Sequence, residues 1–218
     1  MSYQIAIDGP AGAGKSTIAK IVAKKKEYIY VDTGAMYRAM AIHMLRNNID
    51  PEDEDAVSNE AKNADISFGY VEGSQHVYLN GEDVTAYLRT EETGNMASTV
   101  SKYAYVRSRL VAIQQDFASK NNVVMDGRDI GTVVLSDADV KVYLTASSAV
   151  RAKRRYDELI AKGESADIEK IEADIIDRDR QDMTREVSPL KKADDAVEID
   201  SSYMTIEEVS EAILALCR

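Results

Sequence analysis

The sequence predicts an α/β chain organised around a parallel sheet, on three observations. Short apolar runs alternate with helical patterns along most of its length. The first run is followed at once by GPAGAGKST at 9–17. A stretch near 65–85 breaks the rhythm by switching to period two. Apolar runs at 3–7, 28–31, 123–125, 140–144 and 196–199 read as the strands, and the helical segments between them require parallel crossovers. In such sheets ligands bind beyond the carboxyl ends of the strands. Each strand end here carries polar groups: the glycine-rich run, Asp32-Thr33, the segment Asp126 to Asp129, Thr145 and Asp200.

The first turn completes the pattern G-x4-G-K-[ST], with Gly9, Gly14, Lys15 and Ser16 between a strand and a helix. Glycines can turn successive N–H groups toward one point, where the positive end of the following helix also favours an anion. The loop Gly9, Pro10, Ala11, Gly12, Ala13, Gly14 with Lys15, Ser16 and Thr17 is therefore expected to cradle the phosphates of a bound nucleotide. Lys15 adds charge at the β and γ phosphates and Ser16 an oxygen for Mg²⁺. Ile18, Ile21 and Val22 give the next helix its buried face. Asp126, ending an apolar strand, is the expected second Mg²⁺ residue, acting through water.

In the period-two stretch Ile66, Phe68 and Tyr70 share a face, Glu72-Gly73-Ser74 turns, and Val77 and Leu79 resume the alternation before Asn80-Gly81. A small antiparallel sheet inserted in the core is expected, with His76 a surface strand residue. The second departure, from Ser147 to about Arg185, is highly charged. Arg151, Arg154 and Arg155 share a helix surface, and Glu158 can pair with Arg154. In the next helix the stripe Ile171, Ile175, Arg178, Asp182, Arg185 begins apolar and turns charged without leaving register, so its charges are expected to face a cleft.

Composition narrows the partners. A net charge of -11 over 218 residues argues against a nucleic-acid polymer or an anionic membrane as the main partner. The single Cys217 excludes an internal disulfide framework and fits a reducing compartment. No apolar run approaches a membrane span, and residues 3–7 read as a strand rather than part of a secretory signal, so the cytoplasm is the expected location. The absent N-K-x-D pattern weakens a GTP-driven switch. A noncatalytic ATP sensor needs only one phosphate site, and the arginines outside the loop speak for a second.

The segments GPAGAGKST at 9–17, DTGAMYRA at 32–39, DGRDIGTVV at 126–134 and RDRQDMTREVSPL at 178–190 together resemble the bacterial cytidylate kinases, and the similarity runs through essentially the full length. The resemblance implies a single kinase domain over 1–218, with a five-stranded parallel sheet and flanking helices, an antiparallel insert and a helical lid. The core would comprise 1–34, 119–146 and 187–218, the monophosphate-binding region 35–118 and the lid 147–186. It implies transfer of the γ-phosphoryl group of ATP to CMP or dCMP by a Mg²⁺-dependent monomer.

Carried over by position, Thr33 meets the acceptor nucleotide and Arg38 its phosphate. Ser98, Arg107 and Asp129 match contacts to cytosine, and Arg128 a contact to phosphate. Arg178, Asp182 and Arg185 match positions near the lid that meet sugar and phosphates, while Arg151 and Arg155 are expected to close on ATP. Lys15, Arg128, Arg178 and Arg185 are the expected catalytic cations. One departure is the approach KKKEYIYVDTG, which lacks the glycine common before the second strand and leaves the loop after the first helix undetermined. The chemistry agrees with the resemblance. A monophosphate already presents a negative oxygen, so no general base is needed and the sparse histidines, His43 and His76, are no obstacle. Catalysis then reduces to alignment and charge neutralisation.

Overall fold

The computed structural model describes residues 2–217 and contains eight strands and eight helices among them. Two compact units divide the chain, one formed by residues up to Tyr30 and from Asn121 onward, the other by Val31–Lys120.

A five-stranded parallel sheet has the order β2-β6-β1-β7-β8, from β1 (Gln4–Asp8), β2 (Ile29–Asp32), β6 (Val123–Gly127), β7 (Val140–Thr145) and β8 (Val197–Asp200). All five expected strands are present, displaced by no more than two residues at an end. β1 is central, with Ile7 beside Asp126 of β6 and Val142 of β7. β1 and β6 are buried along nearly their whole length, which explains why they read as continuous apolar runs rather than alternations.

The first unit also holds α1 (Lys15–Lys26), α6 (Ser148–Ala161), α7 (Ile168–Thr184) and α8 (Ile206–Leu216). Its core joins Ile18 and Val22 of α1 to Ile5, Val124, Leu144 and Ile213. α8 starts with a capping box: the Thr205 hydroxyl accepts from Glu208 N–H at 3.2 Å and the Glu208 carboxylate from Thr205 N–H at 2.8 Å. The missing glycine before β2 has a local answer. Glu27 takes the left-handed conformation at the end of α1 (φ 57°), and Tyr28 N–H bonds the Ala23 carbonyl at 2.9 Å. A non-glycine residue there is strained by about 1–2 kcal/mol.

The second unit contains α2 (Thr33–Arg46), α3 (Glu54–Glu60), a three-stranded sheet β3-β4-β5 (Ile66–Val71, Ser74–Leu79, Glu82–Asp83), α4 (Glu91–Val100) and α5 (Ala104–Lys120). Met36, Met40 and Met44, four residues apart on α2, are fully buried against Leu79, Val100 and Leu110. The expected hairpins are found. Glu72 (φ 50°) and Gly73 (φ 77°) join β3 to β4, and Asn80 (φ 51°) with Gly81 (φ 82°) joins β4 to β5, the left-handed pairs that tight hairpins require. His76 bonds Asp83 on the neighbouring strand at 2.6 Å, and His43, buried on α2, bonds Glu60 at 2.8 Å. Both histidines are engaged structurally.

Candidate active site

In the first unit, β1 delivers the chain into the glycine-rich loop, where Gly9 (φ 146°) lies so close to β7 that a Cβ would stand 1.9 Å from the Leu144 carbonyl oxygen. Only glycine fits there. Gly14 (φ 91°) opens α1 in a left-handed conformation. Lys15 is buried and its Nζ donates to the Pro10 carbonyl at 2.8 Å, folding the side chain back over the loop. Burial, then the neighbouring Arg128 charge, pushes its ammonium down to about 7. An anionic phosphate would oppose both effects.

The Ser16 hydroxyl donates to Asp126 Oδ2 at 2.9 Å, and Asp126 Oδ1 accepts from the Tyr30 hydroxyl at 2.8 Å. Hydroxyl and carboxylate oxygens this close fit a hard, oxygen-seeking cation such as Mg²⁺. Tyr30, which holds the carboxylate, was not singled out from the sequence. It lies inside β2, and no motif of the sequence marks it.

β6 ends in Gly127, and the chain turns through Arg128 and Asp129 into a wide helical turn over Ile130–Val134. Asp8, at the end of β1, anchors that turn. Its carboxylate accepts from Ile130 N–H at 2.8 Å and Gly131 N–H at 2.7 Å. Burial nevertheless raises the acid to about 6. Arg128 Nε donates to Asp182 Oδ2 at 2.7 Å, and Arg185 Nη1 lies 3.7 Å from Asp182 Oδ1. Arg185 Nη2 lies 4.0 Å from Asp129, while its Nε donates to the Ser188 carbonyl at 2.7 Å. Burial would lift the Asp182 acid, but Arg128, followed by Arg185 and Arg178, overcomes that and holds it below the usual range. The structure thus brings Asp182 and Arg185 of the charged stripe together with Arg128 and Asp129, which the stripe did not include.

The arginines of α6 divide three ways. Arg151 is buried, donating to the carbonyls of Ala146 at 2.8 Å and Ala11 at 3.0 Å and to Asp179 Oδ2 at 2.6 Å. It ties the phosphate-binding loop to α7. Arg155 is half exposed and pairs with Glu158 at 2.9 Å. Glu158 also bonds Lys162, so the expected Arg154–Glu158 pair is replaced by these two. Arg154 instead bonds the Ser201 carbonyl at 2.8 Å and lines a cavity of about 310 Å³ with Gly14, Thr17, Ile18, Ser201 and Met204. Gly163 (φ 80°) ends α6, with Glu164 N–H bonded to the Leu159 carbonyl.

In the second unit Thr33 is the first residue of α2, and Asp32 caps that helix by accepting from Ala35 N–H at 3.0 Å. Arg38 follows on α2, where its Nη1 lies 3.3 Å from the position of a Cβ added at Gly34. Ser98 lies on α4, which packs against α2. Arg107 of α5 is buried with its guanidinium 5.3 Å from the centre of the Tyr37 ring and donates to the Ser101 carbonyl at 3.0 Å. Four polar residues expected at the acceptor thus lie on three helices of one unit.

The cytidylate kinase family model matches residues 5–218. This chain belongs to the cytidylate kinase family. The cytidylate kinase of Bacillus licheniformis is 53% identical over 213 residues, covering 97% of this chain and 94% of that protein. That of Bacillus cereus is 50% identical over 212 residues with the same coverage of both. Among solved structures, a shikimate kinase from Bacteroides thetaiotaomicron covers 98% of the chain and 97% of its own, with a TM-score of 0.50 at 15% identity. An uncharacterised protein from Eubacterium ventriosum has a TM-score of 0.53 at 14% identity. At that identity the likeness speaks for the fold alone. Membership in the family makes the chain an ATP-dependent phosphotransferase. No helix among the described residues is long and apolar enough to cross a membrane.

Proposed function

We propose that this enzyme transfers the γ-phosphoryl group of ATP to CMP or dCMP, giving ADP with CDP or dCDP. The observation that carries the reading is the pairing of Arg128 with Asp182, Arg185 beside it, on the unit that also bears the phosphate-binding loop. A triphosphate in the loop has its own lysine and backbone donors. Further arginines, held ready by one carboxylate, suit a second phosphate.

In this reading the loop N–H groups and Lys15 bind the β and γ phosphates, and the cavity beside Gly14 and Arg154 receives the adenine. Ser16 would hold Mg²⁺ directly and Asp126 through water, and the ion would neutralise charge on the transferring group. Arg128, Arg178 and Arg185 orient and neutralise the phosphates, so the CMP oxygen can attack without a general base. Thr33 and Arg38 hold the acceptor's sugar-phosphate side, while Ser98, Arg107 and Asp129 read the base. Cytosine offers an amino donor to the Asp129 carboxylate where uracil presents a second acceptor, so selectivity includes repulsion.

α6 and α7 form the lid, whose Arg151 and Arg155 act on ATP as it closes and excludes water. In this reading the enzyme is a monomer, and its acidic surface suits solubility in the cytoplasm. Phosphorus NMR of a reaction with Mg²⁺-ATP and CMP tests the assignment. Paired ADP and CDP signals are expected, whereas ADP with inorganic phosphate would mean transfer to water and overturn it.

A further inference from the structure

The antiparallel insert reaches the proposed acceptor residues through one side chain. Gln75, the second residue of β4, directs its amide at the backbone of Asp32: Oε1 accepts from Asp32 N–H at 2.7 Å and Nε2 donates to the Asp32 carbonyl at 3.2 Å. A donor and an acceptor offered to both polar groups of one residue reproduce what a neighbouring strand supplies in a ladder. β2 stands at the edge of the strand order, and the N–H and C=O of Asp32 find their partners in Gln75. Gln75 serves as its missing neighbour.

The gripped residue is the corner between β2 and α2. The Asp32 side chain caps α2 through Ala35 N–H, and Arg89, further along the same unit, places a guanidinium nitrogen 3.6 Å from the other carboxylate oxygen. Thr33 follows directly and Arg38 lies on the second turn of the helix. Gln75 has a fixed base, since its partner across the hairpin is Tyr70 in the β3–β4 register. A hairpin fixed by its own ladder thus sets the position and tilt of the helix start that carries Thr33 and Arg38.

We propose that Gln75 is a positioning residue for the acceptor nucleotide, coupling the insert to the strand end that binds it. The inference rests on the reading of Thr33 and Arg38 as acceptor contacts. Its test is steady-state kinetics of Gln75→Met, which keeps the length and unbranched shape of the side chain while removing both hydrogen bonds, alongside Arg38→Ala as a control on the acceptor reading. With one to two net hydrogen bonds withdrawn from the corner, KM for CMP should rise on the order of tenfold. KM for ATP should stay near the wild type, and the melting temperature should fall by no more than the few degrees that the two lost hydrogen bonds account for. An unchanged CMP KM in Gln75→Met, with the expected rise in Arg38→Ala, overturns the positioning role and leaves the acceptor reading standing. If neither variant alters the CMP KM, both fall. A parallel rise in both KM values with a larger fall in melting temperature would make Gln75 a structural residue only and also overturns the proposal.

Discussion

Replacing Asp182 with alanine withdraws a carboxylate that bonds Arg128 and lies 3.7 Å from Arg185. The bond to Arg128 is short, 2.7 Å, and the two side chains retain only 20% and 12% of their exposure. A charge-assisted hydrogen bond contributes about 1.5–3 kcal/mol, and stranding a buried charge costs about 3–5 kcal/mol. Residual solvent access reduces the second figure, so a loss of about 2–3 kcal/mol is the reasoned value. For a chain of this size that lowers the melting point by about 4–12 °C. The deficit should narrow in sulfate relative to chloride at equal ionic strength, because a tetrahedral dianion can replace the missing carboxylate among the arginines. Differential scanning calorimetry in the two salts reads both effects. A variant that melts with the wild type in chloride, or that gains nothing specific from sulfate, would refute the view that these arginines depend on an anion.

Gly9→Ala must displace the loop from the Leu144 carbonyl, 1.9 Å from the new methyl, and should lose about 2–5 kcal/mol by chemical denaturation while raising the KM for ATP. Gly14→Ala, with open space around the new Cβ, should lose only about 1–2 kcal/mol of backbone strain. Asp8, raised by burial from 3.8 to about 6, binds a proton more tightly folded than unfolded, a difference of about 3 kcal/mol. The stability it contributes is fully present below about 4 and lost as pH rises through about 6. The wild type should therefore gain on Asp8→Asn as pH falls from 7 to 4, and parallel stability curves would contradict this. Asp129→Ala should weaken use of CMP far more than use of UMP, and equal losses in kcat/KM would dismiss its part in base selection.

Much of the fold was legible because its signals are local. The apolar runs, the glycine-rich turn and the left-handed pairs Glu72-Gly73 and Asn80-Gly81 each declare themselves within a few residues. The start of the charged network was legible too, since Arg178, Asp182 and Arg185 keep helical spacing after an apolar start. What stayed hidden depends on partners distant in sequence. Asp8 meets Ile130 and Gly131, Tyr30 meets Asp126, and Gln75 meets Asp32, and no spacing rule connects such residues. The arginines of α6 show the same limit. Sequence grouped Arg151, Arg154 and Arg155 on one surface, yet packing buries Arg151 against Ala11 and Asp179, puts Arg154 at a cavity and leaves Arg155 with Glu158. Glu27 in the left-handed region marks another gap, because the conformation is set by tertiary closure rather than by the residue's own preference.

The account is tested most directly by ADP release from Mg²⁺-ATP with CMP, dCMP, UMP, AMP, GMP or no acceptor. It predicts release that depends strongly on CMP or dCMP and is slow without an acceptor. Equal release with every monophosphate, or release that needs none, would contradict it.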